Sequence, residues 1–309
     1  MGSLIDETKQ PDTRPVLITG ATGGQGGSVA AHAFKRGLRV RALVRDLNSE
    51  AARSLADTGI ELAVGDFNDA SALAGAMEGV RGVFSMQQDG APLSEFRTLL
   101  DAAIAAGVEQ YVHSTVSGVP QQEEIYRHDA DELKPDYWPS KINQERWVRS
   151  APFRYRAFLR PALILDNLVL RASFLYPRLG TNGDILIAMP PDQPLSFVSY
   201  DTIGRAGAEM LADPQRFHGA EIELADAYVS YAELARVLQS GSGKAVSVTS
   251  VDVDEAVALG LPTRVARSHV WLANVGYPAR PEMLKRHGIE PLAVTDWVSR
   301  YIGRIRIGN

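Results

Sequence analysis

VLITGATGGQGGSV, residues 16–29, decides the fold. Four residues suited to a buried strand, Val16, Leu17, Ile18 and Thr19, run into Gly20, Gly23, Gly24, Gly26 and Gly27, and a helical pattern starts at Ser28-Val29-Ala30-Ala31. Glycines between a strand and a helix permit a tight turn with positive φ and let main-chain N–H groups approach an anion that side chains would hold off. The helix that follows aims its positive end and its unpaired donors at the same spot. The expected guest is a nucleotide pyrophosphate over Gly20, Gly23, Gly24 and Gly26.

The spacing Gly20-x-x-Gly23-x-x-Gly26 departs from the common G-x-G-x-x-G fingerprint, so its context carries the reading. Arg45 closes the next strand, residues 39–44, and lies 19 residues past Gly26. A ribose-binding residue is expected roughly 20 residues on. An acid there would favour the free 2′-hydroxyl of NAD; Arg45 offers a planar fork of donors to a 2′-phosphate, so the expected cofactor is NADP(H). Asp66 and Phe67 follow a third strand at 61–64, where ligands lie in a doubly wound sheet. There Asp66 is read as an acceptor for the adenine amino group, with a plain turn aspartate as the competing reading, and Phe67 as packing on the ring. Gln87 and Gln88, after a fourth strand at 82–86, either face ribose or nicotinamide or are turn residues.

From residue 15 short β-branched runs alternate with helical patterns, the mark of a parallel sheet covered on both faces. The fold expected is α/β: a Rossmann doubly wound parallel sheet. The boundaries expected are a flexible polar tail at 1–14, an NADP-binding domain at 15–165 and a mainly substrate-binding domain at 166–309, some of whose segments return to the first sheet. Further expectations are a helix at 92–106, a strand at 110–113, a loop at 120–135, a helix capped by Asp201, and a capping box at Ser230 and Glu233. Residues 167–189 would suit an apolar substrate wall or a core.

The 309 residues carry a net charge of −5, which argues against a nucleic-acid surface. There is no cysteine, which excludes disulfides and agrees with a cytoplasmic protein. Apolar stretches stay below the 18 or so residues of a membrane span. The histidines show no metal-ligand spacing, so no metal is expected. The partner expected is a small molecule, neither nucleic acid nor membrane, and a homodimer is compatible with the chain.

The chemistry is expected around Asp136-Tyr137-Trp138-Pro139-Ser140-Lys141. Pro139 suits a first helical turn, and Tyr137 and Lys141, four apart, would share a helix face. A nearby ammonium favours a phenolate, so Lys141 is expected to lower the Tyr137 pKa toward the range of a general acid. The hydroxyls after the fifth strand, Thr115 and Ser117, are read as holding the reacting oxygen. Pro161, after a strand at 156–160, is placed to contact the nicotinamide.

TGATGGQG, the arginine after strand two, GDFND, YWPSK with INQERWV, and LRPALILDN resemble the NmrA-like group of atypical short-chain dehydrogenases/reductases. FVSYDTIGRAGAEML and YVSYAELARVL extend the resemblance over most of residues 15–260. It implies an NADP-binding fold with a smaller, split C-terminal α/β substrate domain, in which Gly20, Thr22, Gly23, Gln25 and Gly26 hold the pyrophosphate, Arg45 the 2′-phosphate and Lys141 the nicotinamide ribose. The group contains both reductases and members that only sense the NADP state, and many lack the tyrosine. Here Tyr137 favours an NADPH-dependent reductase acting on a carbonyl, imine or activated C=C of a small, partly apolar molecule. The alternative is a non-catalytic NADP(H) sensor that binds a protein partner.

Overall fold

A computed structural model describes residues 12–128 and 137–308. Its strands are β1 (Val16–Ile18), β2 (Val40–Val44), β3 (Glu61–Val64), β4 (Gly82–Met86), β5 (Gln110–Ser114), β6 (Tyr155–Pro161), β7 (Leu163–Ile164), β8 (Asp184–Ile187), β9 (Leu195–Val198), β10 (Glu221–Leu224), β11 (Ala227–Val229) and β12 (Ser247–Ser250). Seven of them form one sheet in the order β10-β6-β5-β4-β1-β2-β3, with every pair parallel. The chain winds outward from β1 to β3, then crosses back to β4 on the other side of β1. That reversal opens a crevice at the carboxyl ends of β1 and β4.

β1 reads as a continuous apolar run because both its faces are covered. Val16 and Ile18 enter a layer with Val29, Ala33 and Ile203, while Leu17 enters the opposite layer with Phe96, Leu99 and Tyr111. Helices Gly24–Lys35 and Tyr200–Ala212 build the first layer. Helices Leu93–Ala105 and Tyr137–Ser150 contribute to the second. Tyr200–Ala212 and β10 therefore lie on the main sheet although the later half of the chain supplies them.

The remaining later elements enclose a separate apolar cluster that includes Phe197, Tyr231, Trp271 and Trp297. It is framed by the small sheets β11-β9-β7 and β12-β8. Leu168, Tyr176, Ile187 and Met189 are buried in it, so this part of the expected substrate wall is core. Helix Tyr137–Ser150 joins the two parts, with Trp138 and Ile142 in this cluster and Val148 in the sheet layer.

Several boundaries differ from the sequence reading. The loop expected at 120–135 contains a helix, Val119–His128, whose run of Gln and Glu favours a helix and whose Pro120 falls in the first turn. Residues 1–11 of the expected tail and Asp136 lie outside the described residues. Arg14, assigned to the tail, pairs with Asp12 and Glu109, each at 2.7 Å. Ser199, not Asp201, caps the helix at 200–212, its hydroxyl accepting from Thr202 N at 3.2 Å. Asp201 instead meets His32 at 3.0 Å and Arg205 at 3.1 Å. The capping box of Ser230 and Glu233 is present.

Candidate functional site

The glycine run is divided between a turn and a helix. Gly20 has φ of +64° and so supplies the turn. The helix starts at Gly24, with Gly23 as its N-cap, ahead of the helical pattern read from Ser28 in the sequence. The next glycines serve close approach: a Cβ on Gly26 would lie 2.3 Å from the Thr19 carbonyl oxygen, and one on Gly24 would lie 1.9 Å from the Tyr200 ring. No side chain caps this helix. Its first-turn N–H groups thus face the exposed Thr22 and Gly23 end with dipole and donors available to an anion.

A cleft opens beside this turn at the sheet's crevice. Gly20, Thr22, Arg45, Asp66, Phe67 and Gln87 all line it, together with Met86, Gln88 and Glu95. Six residues singled out in four separate stretches of sequence are therefore brought together. Arg45 is exposed and has no ion-pair or hydrogen-bond partner among the described residues, which leaves its guanidinium open to a ligand phosphate. Asp66 Oδ1 accepts from Asn68 N at 2.9 Å and from Asn68 Nδ2 at 3.0 Å, a turn role, and the carboxylate is exposed at the cleft edge. Gln25 accepts from the Ser114 hydroxyl at 2.9 Å, tying the end of β5 to the glycine helix. The donors, glycines and open guanidinium fit a phosphorylated dinucleotide.

Gln87 sits differently from the expectation that its side chain meets ribose. That amide is buried, donating to the Pro92 carbonyl at 2.7 Å and accepting from Gln144 Nε2 at 2.6 Å. Its main-chain carbonyl is what meets the chemistry, accepting from Lys141 Nζ at 3.4 Å. Pro161 is buried at the carboxyl end of β6, two strands from β4, and its carbonyl accepts from Ser117 N at 2.9 Å.

Helix geometry does hold from Tyr137, its first residue, to Lys141. Lys141 Nζ lies 5.8 Å from the centre of the Tyr137 ring. Burial sets the protonation of both groups. It pushes the Lys141 ammonium down to about 8, against the opposing charge of Asp89. It raises the Tyr137 phenol well above its usual value; Tyr277 and Asp89 add to the rise and Arg264 opposes it. The expectation that Lys141 lowers the Tyr137 pKa is thus corrected: desolvation of the phenolate is the largest cause and raises it, and the cation that opposes the rise is Arg264. The phenol holds its proton at neutral pH.

The hydroxyls expected to grip the reacting oxygen are engaged elsewhere. Thr115 Oγ1 donates to Glu145 Oε1 at 2.6 Å. Ser117 is buried, and its hydroxyl oxygen accepts from Ala279 N at 3.3 Å. A hydroxyl has one proton to donate, so Thr115 has none to offer an oxyanion.

Residues 12–275 match the NmrA-like family. The chain belongs to that family. An NmrA-like family domain-containing oxidoreductase of Aspergillus hancockii is 30% identical over 266 residues, covering 75% of this chain and 73% of its own. The triphenylmethane reductase of Citrobacter sp., crystallised with NADP(H), superposes with a TM-score of 0.74 at 22% identity, over 93% of this chain and 99% of its own. NmrA, a negative transcriptional regulator in complex with NADP, superposes with a TM-score of 0.69 at 20% identity, over 95% and 91%. At such identities the structural likeness establishes the fold.

This NmrA-like chain also holds site residues that the sequence reading missed. Met86 and Tyr200 press on Gly20 and Gly24. Asp89, after β4, pairs at 2.8 Å with Arg264 in the first turn of helix Thr263–Asn274 and so bridges the two parts of the molecule beside Tyr137. No local signal links residues so far apart. Gln144 was legible in principle, since it lies three residues past Lys141 and seven past Tyr137 on the same helix face. Among the described residues no cluster of His, Cys, Asp or Glu could hold a metal ion, and no helix is long and apolar enough to cross a membrane.

Proposed function

We propose that the protein is an NADPH-dependent reductase that acts on a carbonyl, imine or activated C=C of a small, partly apolar molecule. The observation that carries this reading is the cleft at the sheet's reversal, with an unpartnered Arg45 in its lining and the Lys141 ammonium on the carbonyl of Gln87. The glycine turn and the uncapped helix would hold the pyrophosphate, Arg45 the 2′-phosphate, Phe67 the adenine and Lys141 the nicotinamide ribose. NADPH, when bound, supplies a hydride. Tyr137 keeps its proton at neutral pH and would be the proton donor. With Thr115 engaged by a carboxylate, the stabilisation of developing negative charge would fall to Tyr137 and the Lys141 cation.

The rival reading is an NADP-responsive regulator; NmrA, which shares the fold, is a negative transcriptional regulator in complex with NADP. One experiment separates them. NADPH oxidation is followed against aldehydes, quinones and enones, with Tyr137→Phe and Lys141→Ala as controls. Turnover of one class that falls at least tenfold in both variants supports the reductase. Tight NADPH binding without turnover of any acceptor supports the regulator, and unchanged turnover in both variants removes the catalytic assignment.

A further inference from the structure

Between the cleft and the interior of the sheet runs a chain of hydrogen bonds that the proposed chemistry leaves unused. Ser85 on β4, His113 on β5 and Gln144 on helix Tyr137–Ser150 are each fully buried, with 0% exposure. The Ser85 hydroxyl lies 2.7 Å from His113 Nδ1, and His113 Nε2 lies 3.1 Å from Gln144 Oε1. Gln144 Nε2 donates to Gln87 Oε1 at 2.6 Å and to Ser140 Oγ at 3.0 Å. Gln87 Nε2 ends the chain on the Pro92 carbonyl at 2.7 Å.

The last acceptor fixes the direction of the amide links. A carbonyl oxygen only accepts, so Gln87 must present its NH2 to Pro92 and its oxygen to Gln144. Gln144 then presents NH2 to Gln87 and oxygen to the ring. His113, which burial holds neutral with a pKa of about 3, meets that oxygen with a proton on Nε2, and its Nδ1 faces both the Ser85 hydroxyl at 2.7 Å and the Ser85 carbonyl at 3.2 Å. Turning either amide over would set two acceptors face to face inside the protein, where an unsatisfied group is costly. The amide part of the chain therefore has one arrangement. It grips the side chain of the residue whose main-chain carbonyl receives Lys141 Nζ.

We propose that His113 and Gln144 are positioning residues, which lock Gln87 so that its carbonyl holds the Lys141 ammonium in register with the cleft. The cofactor side of this inference rests on the function proposed above; the coupling to Lys141 does not. Gln144→Met keeps the side chain's length and deletes all three hydrogen bonds of the amide. Calorimetry is run on this variant and the wild type with NADP⁺ and with 2′,5′-ADP, which carries the 2′-phosphate and adenosine but no nicotinamide ribose. The expected result is a loss of about tenfold for NADP⁺, the size of one hydrogen bond to a charged group, with 2′,5′-ADP changed less than about twofold. Equal loss for both ligands means general loosening and overturns the proposal, as does no loss for either.

Ser85→Ala trims the far end of the chain and keeps the test open if Gln144→Met does not fold; its NADP⁺ loss should be smaller, about threefold, with 2′,5′-ADP again spared, and no loss overturns the proposal. If the wild type takes up neither ligand, the cofactor reading falls, and ligand-free NMR of ¹³C-labelled lysine decides the positioning role. The Lys141 resonance is identified by its loss in Lys141→Met and is expected to titrate near 8. Gln144→Met should move it by about one unit or more, and an unmoved titration overturns the proposal.

Discussion

Arg45 and Lys141 are recognisable in the sequence by position alone, yet the structure gives them opposite environments. Arg45 is exposed and unpartnered, so its replacement should cost little stability and much recognition. Arg45→Ala is expected to weaken NADPH about 10- to 100-fold, the range for charge-assisted bonds to a phosphate, while NADH affinity stays level; calorimetry with both nucleotides checks it. Lys141 is buried, with a pKa near 8 where an ordinary lysine lies near 10.5. A folded state that binds its proton less tightly than the unfolded chain carries a penalty below pH 8, which fades as pH rises toward 10.5. Lys141→Met should therefore be more stable than the wild type at pH 7, by roughly 3 kcal/mol as an upper figure, and the gap should close with rising pH in urea titrations. The same variant should lose activity. A gap that widens with pH would reverse the sign of this argument.

At the scale of elements, what a glycine does depends on the element next to it. Gly26 and Gly75 both lie in helices, and only the structure shows what a Cβ would meet at each. A Cβ on Gly26 would sit 2.3 Å from main-chain oxygen at Thr19, whereas one on Gly75, in helix Ala70–Ala76, would meet nothing within 4 Å. Gly75→Ala is expected to stabilise by about 0.5–1 kcal/mol. Gly26→Ala should destabilise by about 1–3 kcal/mol through overpacking against backbone that cannot yield, and should weaken nucleotide binding as well. Thermal melts of the two variants, read together, test whether close approach rather than turn geometry holds Gly26. The helix at 119–128 teaches the complementary lesson: its acids and amides read as loop by composition, but Gln and Glu are sound helix formers once neighbours such as Val119 and Gln122 are buried.

Across the whole molecule, one buried ionic cluster ties the site helix to the far edge of the main sheet. Arg160 on β6 donates to both oxygens of Glu145, at 3.0 and 2.7 Å, and reaches Glu221 and Glu223 on β10. Thr115 and Arg149 complete the shell of Glu145. Arg160→Met would leave buried Glu145 and largely buried Glu223 short of their cation. It should cost about 3–5 kcal/mol, the range for breaking a buried pair from one side. Restoring balance with Glu145→Gln in the same chain should recover part of that loss, as measured by urea denaturation. A single loss under about 1 kcal/mol would mean that Arg149 and water supply the charge balance instead.

The sequence by itself determined the doubly wound parallel sheet and several of the residues that line the candidate cofactor cleft. These rest on local causes: runs of apolar residues for strands buried on two faces, positive φ at Gly20, and fixed spacing along the chain to Arg45 and Asp66. Only the tertiary structure decided how the chemical groups are charged and to whom their protons go. Tyr137 stays protonated because of what covers it, Thr115 is drawn to a carboxylate 30 residues along the chain, and Gln87 turns inward because Gln144 awaits it. Desolvation and hydrogen-bond partnership depend on groups brought together from distant parts of the chain, and no reading of neighbours in sequence contains them.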